Sequence, residues 1–372
     1  MPSNHAAQLP SKLARSLVVS EAPYPKPSKG QIVIRNSAVA INPIDWLIQS
    51  RGDLVFPWLK YSSTLGFDAA GEVVEVGEEV SRFEVGDRVL GLCRGTEKDE
   101  NDPSQGAFQH YTVLRENWVS HIRAPGMSFI QGATLPLGVA AASAALFDSS
   151  YLGLDLPTVP ARPSTGKTVL VWGGSSSVGC CAIQLAVAAG YEVFTTASPK
   201  NHDLVRRLGA SRVWDYNSSA VVDEIAESLK GKVVSGAVAI GTGSGNKCMC
   251  VLEKAPKGAN KFVAMATLPM PDSEPTRMGM VSSAASYLTK TATYGARSMM
   301  NGIKWNYVSM DGMAGAGLNK QIFVDYLPEA LESGSFVPSP EPLVVGHGLE
   351  TIQEAFELQK KGVSAKKIVV TL

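Results

Sequence analysis

The chain has 372 residues, 45% of them hydrophobic and 18% charged, a balance that gives room for two folded cores and excludes a disordered or fibrous protein. Lys plus Arg and Asp plus Glu each total 34, and no basic block offers the footprint that nucleic acid or an anionic membrane surface needs, so neither is expected as a partner. Cys93, Cys180, Cys181, Cys248 and Cys250 are odd in number, four of them in an adjacent and a near-adjacent pair, which suits reduced thiols and predicts a cytoplasmic chain. The opening "MPSNHAAQLPSKLARSLVVSEAPYP" has no continuous apolar run and carries Pro early, so neither a secretory signal nor a transit peptide is predicted.

Residues 16 to 122 are strand-rich: "QIVIRNSAVAIN" and "YTVLRENWVSHI" are β-branched runs, and "GEVVEVGEEVSRFEVGDRVLGL" alternates apolar and polar positions between glycines. That pattern predicts a compact β-barrel-like unit. Residues 124 to 147 contain no charge and approach membrane-span length, but Pro136 and Gly138 interrupt them, which predicts a loop leading into a buried Ala-rich helix. From about 136 helix and strand alternate, through "YEVFTTAS", "HDLVRRLGA", "RVWDY", "GAVAIG" and "KFVAMA", as βαβ units on a parallel sheet do. "DLPTVPARPSTGK" is a Pro-rich surface loop within that second half. The Met- and aromatic-rich run "MGMVSSAASYLTKTATYGARSMMNGIKWNYVSM" predicts core or dimer contact rather than a binding box. The tail ends in a helix and the strand "KKIVVTL", predicted to return to the first unit.

"VLVWGGSSSVGCCAIQLAVAAG", residues 169 to 190, runs from an apolar strand through small residues into an apolar helix. Such a turn leaves backbone N–H groups unpaired at a helix start, where the macrodipole favours negative charge, and so forms a pyrophosphate cradle. Against G-x-G-x-x-G the positions are Gly174, Ser176 and Gly179, with the middle glycine missing; Ser175, Ser177 and Val178 complete the predicted cofactor turn. An acidic residue at the end of the next strand would accept from the ribose 2′-OH of NAD, yet the chain there reads "FTTASPKNHD". Ser198 and Lys200 can donate to a 2′-phosphate instead, so NADPH is the predicted cofactor, with Asp203 assigned to the first turn of the following helix.

The order of these parts, with "AINPIDW", "LGFDAAGEVVEVG", "GAFQHYTVL", "LPLGVAAASAALF" and "VWGGSSSVG", resembles the medium-chain dehydrogenase/reductase superfamily, in its zinc-free quinone oxidoreductase and enoyl reductase branch. The likeness is strongest to fungal proteins labelled zinc-binding alcohol dehydrogenase-domain proteins and to trans-acting enoyl reductases of polyketide assembly. It implies an α/β fold of a chaperonin-10-like β-barrel domain, residues 1–135 and 319–372, and an NADPH-binding Rossmann domain with a doubly wound parallel sheet, residues 136–318. In zinc-dependent relatives a Cys stands in place of Pro43 and a His-Glu pair in place of Phe67 and Asp68, so no metal is expected. Cys248 and Cys250 lack the further ligands a metal site of their own would need.

The resemblance places Asn42 and Asp45 at the barrel edge facing the cofactor and makes Trp46 an apolar wall; these three are the candidate catalytic residues. Asp45 reads equally well as a helix cap. The Tyr proton donor of some relatives has no counterpart in "SRGDLVFPW", Tyr61 reads as packing, and the hydroxyl residue after "LPxG" aligns with Ala141, two positions before Ser143. Tyr216 is implied beside the 2′-phosphate, or is an ordinary half-buried aromatic, and Gly241 and Thr242 close the cofactor site, with "ATLPM" passing the nicotinamide. His5, His110, His121, His202 and His347 are scattered, and none is read as a base.

The expected activity is NADPH-dependent hydride transfer to an activated C=C bond of a small-molecule or carrier-bound unsaturated carbonyl compound or quinone, in a cleft between the domains. Carbonyl reduction to an alcohol and a non-enzymatic NADPH-binding redox sensor, akin to lens crystallin relatives, stand as alternatives. The chain is expected to be a monomer or a homodimer.

Overall fold

The computed structural model describes residues 2–268 and 276–372. They fall into two compact units, one of residues 2–137, 276–284 and 323–372, the other of residues 138–268 and 285–322.

In the first unit, strand β1 (Gln31–Ala40) lies at the centre of a seven-stranded sheet, with β2 (Asp68–Val76) antiparallel on one side and the C-terminal strand β9 (Lys366–Thr371) antiparallel on the other. The runs that alternate or are continuously β-branched in sequence supply these strands, and Ile32, Val33, Ile34, Val39, Ala40, Val369 and Val370 are wholly buried. Register then decides what meets what: Val369 lies opposite Ala40, and Ala40 opposite Asp68. Continued two residues along, that register brings Lys367 toward Asn42, at the point where β1 hands over to helix α1 (Pro43–Val55). The tail does return to this unit, as helix α5 (Ile352–Lys361) and β9.

The second unit is built on a six-stranded, all-parallel sheet of β3 (Lys167–Trp172), β4 (Glu192–Thr196), β5 (Arg212–Trp214), β6 (Val233–Ala239), β7 (Phe262–Met265) and β8 (Lys304–Tyr307), in the order β5-β4-β3-β6-β7-β8. The reversal of direction at β3 is the doubly wound arrangement, with its ligand end at the carboxyl ends of the strands. Helix α3 (Ser177–Ala188) follows β3 and is apolar all round; it buries Cys180, Cys181, Ile183 and Leu185 completely. Phe194, Val234, Met249, Leu252 and Val263 belong to the continuous core between sheet and helices.

Residues Phe129–Phe147 are apolar and long enough to cross a membrane by composition, yet 72% of the best window is buried inside the protein. The run is broken by a turn between a short first helix and α2 (Pro136–Phe147), as Pro136 requires. The Met- and aromatic-rich run forms helix α4 (Arg277–Asn301) and then supplies strand β8. Its methionines Met278, Met299 and Met300 are exposed rather than in the core, so the core half of that expectation fails for them.

Candidate functional site

The nucleotide turn derives its shape from close contacts that only small residues permit. A side chain on Gly174 would approach Thr195 Oγ1 to 2.1 Å, and one on Gly179 would lie 2.3 Å from the Gly173 carbonyl oxygen. The first and third fingerprint glycines are thus required by packing. The missing middle glycine is explained by Ser176, which takes the N-cap position of α3: its Oγ accepts from the Gly179 N–H at 3.1 Å and donates to the Gly173 carbonyl at 2.8 Å. With Ser176 closing the cap, the N–H groups of Ser177 and Val178 have no partner among the described residues and lie in the first turn of the helix, as an anion site requires. The turn is pinned from behind by the next strand, since Gly173 N–H donates to Thr196 Oγ1 at 3.0 Å and Gly174 N–H to the Thr196 carbonyl at 2.9 Å.

At the end of β4, Asn201 donates from Nδ2 to Ser198 Oγ at 3.1 Å and to Ser175 Oγ at 3.4 Å, so Ser175 and Ser198 share one polar rim. Lys200 is exposed beside them. Asp203 does not turn back to this rim; it pairs with Arg206 one turn along its own helix at 3.3 Å. Tyr216 lies in the loop after β5, 41% exposed. Gly241, at a φ of +98°, and the exposed Thr242 follow β6, the Gly241 N–H donating to Thr267 Oγ1 at 2.8 Å. All ten predicted cofactor residues thus belong to the second unit, on the turn after β3 and the segments that follow β4, β5 and β6. Of "ATLPM", Pro269 and Met270 lie outside the described residues.

The candidate catalytic residues belong to a different construction in the first unit. Asp45 is wholly buried; one carboxylate oxygen accepts from the Asn42 N–H at 2.7 Å, as the third residue of a capped helix does, and Pro43 takes the first helical position. Its other oxygen, Oδ1, has no hydrogen-bond partner among the described residues. Burial is the main reason its acidity is weakened to a pKa of about 8, with the nearby Asp68 charge adding to the effect and the Asn42 contact and Lys367 opposing it.

Asn42 is fully committed: Nδ2 donates to Asp68 Oδ2 at 2.8 Å, and Oδ1 accepts from Lys367 Nζ. Lys367 also forms an ion pair with Asp68 at 2.9 Å, their side chains 4% and 0% exposed. The second oxygen of Asp68 accepts from the Leu137 N–H at 2.6 Å. Trp46 is anchored by its Nε1, which donates to Gln359 of α5.

Sequence reading missed Lys367 altogether and treated Asp68 only as a replaced ligand. It also missed Thr196, whose place at the end of β4 gave no hint that it braces the turn. The Tyr61 hydroxyl is a further surprise, because it occupies the space a side chain on Gly52 would fill, 2.9 Å from that position, within the window where no Tyr was found in sequence. Burial raises its pKa, so near neutral pH it is an O–H donor and not a base.

The residues present do not suit a zinc ion. Pro43 and Phe67 offer no ligand atom, and the Asp68 carboxylate is taken up by an ammonium, an amide and a backbone N–H. Among the described residues no group of three His, Cys, Asp or Glu side chains is placed to hold a metal.

Residues 28–124 match the alcohol dehydrogenase GroES-like domain. The chain is 53% identical over 372 residues to dehydrogenase pigH of Monascus ruber, covering all of both chains. The chain belongs to the medium-chain dehydrogenase/reductase superfamily. It is also 37% identical over 374 residues to trans-enoyl reductase himH of Aspergillus japonicus, covering 99% of this chain and 97% of that one. Among solved structures, an alcohol dehydrogenase superfamily protein from Novosphingobium aromaticivorans shares the fold with a TM-score of 0.75 at 22% identity, over 99% of each chain. Membership makes the protein an oxidoreductase of the nicotinamide-dependent kind, and the turn at Gly174–Gly179 fits the cofactor such proteins hold.

Two stability predictions follow from the buried charges. Lys367→Ala strands the Asp68 carboxylate and is expected to cost about 3–5 kcal/mol in urea unfolding, whereas Lys367→Met combined with Asp68→Leu recovers a large part of that loss. Asp45 holds its proton more tightly folded than unfolded, where its pKa is about 3.9, so its contribution is present below that value. It is lost as pH rises toward the folded pKa of about 8. Stability therefore declines with pH across that window, with Asp68, Lys367 and Cys93 as the facing groups, and Asp45→Asn flattens the decline in unfolding curves recorded from pH 4 to 9.

Proposed function

We propose that the protein is an NADPH-dependent reductase that adds hydride to the β-carbon of an activated C=C bond in an enone, enal, quinone or enoyl thioester, without a metal. The observation that carries this reading is the commitment of Asp68 to Lys367, Asn42 and the Leu137 N–H, which leaves no carboxylate to hold a Lewis acid where an alkoxide would need one. Hydride addition to an enone instead spreads the developing charge over an enolate, which hydrogen-bond donors alone can stabilise.

The bound cofactor supplies the hydride, and a proton from solvent or a neighbouring O–H completes the saturated product at the α-carbon. The protein's share is positional. Ser177 and Val178 offer N–H groups to the pyrophosphate, while Ser198 and Lys200 meet the 2′-phosphate. The buried ion pair holds the start of α1 fixed against β9 through Asn42. Asp45 then acts through the shape of that helix start and not by touching substrate, since it is wholly buried. Likeness over the full chain to a trans-enoyl reductase supports the same substrate class, free or carrier-bound.

Lys200→Ala is expected to weaken NADPH binding about tenfold or more while leaving NADH within about twofold, as measured by fluorescence titration. Equal losses for both nucleotides would overturn the 2′-phosphate assignment. Incubation with NADPH and a panel of conjugated enals, enones and quinones is expected to give the saturated carbonyl compound or the hydroquinone, identified by mass spectrometry and NMR. An allylic alcohol as the product would contradict the proposed reaction.

A further inference from the structure

The polar rim at the end of β4 takes its character from Asn201. Ser198 stands at the N-cap of the one-turn 3-10 helix Pro199–Asn201, a place where a serine hydroxyl ordinarily accepts from a backbone N–H, yet here it caps nothing. The Asn201 N–H goes to the Ser198 carbonyl at 2.8 Å, and the Ser198 hydroxyl is left to the Asn201 side chain. Asn201 Nδ2 carries two hydrogens and gives them to two hydroxyl oxygens, Ser198 Oγ at 3.1 Å and Ser175 Oγ at 3.4 Å. One amide thus ties the cofactor turn after β3 to the segment after β4.

That tie fixes the polarity of both serines. A hydroxyl that accepts from an amide keeps its own proton for another partner, and among the described residues neither Ser175 Oγ nor Ser198 Oγ has an acceptor for it. Lys200, exposed on the same 3-10 turn, adds a cationic donor and no acceptor. Asp203, the carboxylate that could have supplied an acceptor, is paired with Arg206. Two hydroxyls and an ammonium therefore offer hydrogens together. A phosphate is all acceptor and takes them without loss, whereas a ribose hydroxyl brings a proton of its own and finds no carboxylate to receive it.

On the reading of this rim as the 2′-phosphate site, we propose that Asn201 is a positioning residue for nucleotide choice. By donating to Ser175 and Ser198 together it keeps both hydroxyls as donors, and so selects a nucleotide phosphorylated at the 2′ position over one with a free 2′-hydroxyl. Ser175 belongs to the turn and not to the segment after β4, and it joins the 2′-phosphate site through this amide. Removing the amide frees both hydroxyls to rotate, and the loss falls on the phosphorylated nucleotide alone.

Calorimetric titration of the full-length protein with 2′,5′-ADP and with 5′-AMP separates the 2′-phosphate from the rest of the nucleotide and needs no turnover. The parent protein is expected to bind 2′,5′-ADP at least about tenfold more tightly than 5′-AMP. Asn201→Ala, a neutral change that keeps the backbone N–H, is expected to weaken 2′,5′-ADP about tenfold and 5′-AMP by no more than about twofold, with near-UV circular dichroism unchanged. Ser175→Ala is expected to weaken 2′,5′-ADP about fivefold in the parent but less than about twofold in the Asn201→Ala background, because the amide that orients Ser175 is already gone. Equal losses of both ligands in Asn201→Ala would overturn the proposal and leave the 2′-phosphate assignment standing. So would an undiminished effect of Ser175→Ala in that background, or a Ser175→Ala loss shared equally by 5′-AMP. A parent protein that binds 2′,5′-ADP no better than 5′-AMP would overturn the assignment itself, and this proposal with it.

Discussion

The ion pair between Lys367 and Asp68, buried to 4% and 0% exposure, fixes the first unit around the start of α1. Neither charge can be left alone at that depth, because an unpartnered buried charge costs several kcal/mol. The strand carrying Lys367, the strand carrying Asp68 and the loop carrying Asn42 are therefore held in one arrangement. Asn42 is the joint: it accepts from the ammonium, donates to the carboxylate, and offers its own N–H to Asp45. Through it a C-terminal strand sets where a helix near the N-terminus begins.

That arrangement is also what the proposed metal-free chemistry rests on: the Asp68 carboxylate is held by Lys367, Asn42 and the Leu137 N–H. The nucleotide turn is built separately, from backbone and side chains together. Its requirements are two glycines set by close contact, a serine that caps the helix, and a threonine at the end of the next strand that holds the turn from behind.

How much of this could be read from the sequence depended on the range of the interactions. The turn was legible because strand, turn and helix are contiguous, and the loss of the middle glycine was tolerable in retrospect because Ser176 takes the cap. The rim of Ser198 and Lys200 was legible for the same reason, since it lies at the end of the very next strand. The polar network was not, because Lys367 and Asn42 stand 325 positions apart and only sheet register brings them together. Asp45 was singled out through resemblance as a candidate for catalysis or capping, and its geometry is that of a cap whose second oxygen lacks a partner. In α4 the composition was plain but its exposure was not, since Met and Ala are as common in cores as on contact surfaces.

The central claim is that the hydride goes to carbon conjugated with a carbonyl and not to the carbonyl carbon itself. The most direct measurement uses NADPH deuterated at the transferred position, turned over with a conjugated enone in ordinary water, and locates the label by deuterium NMR. Deuterium is expected at the β-carbon and protium from solvent at the α-carbon. Deuterium on the carbinol carbon of an allylic alcohol would contradict it.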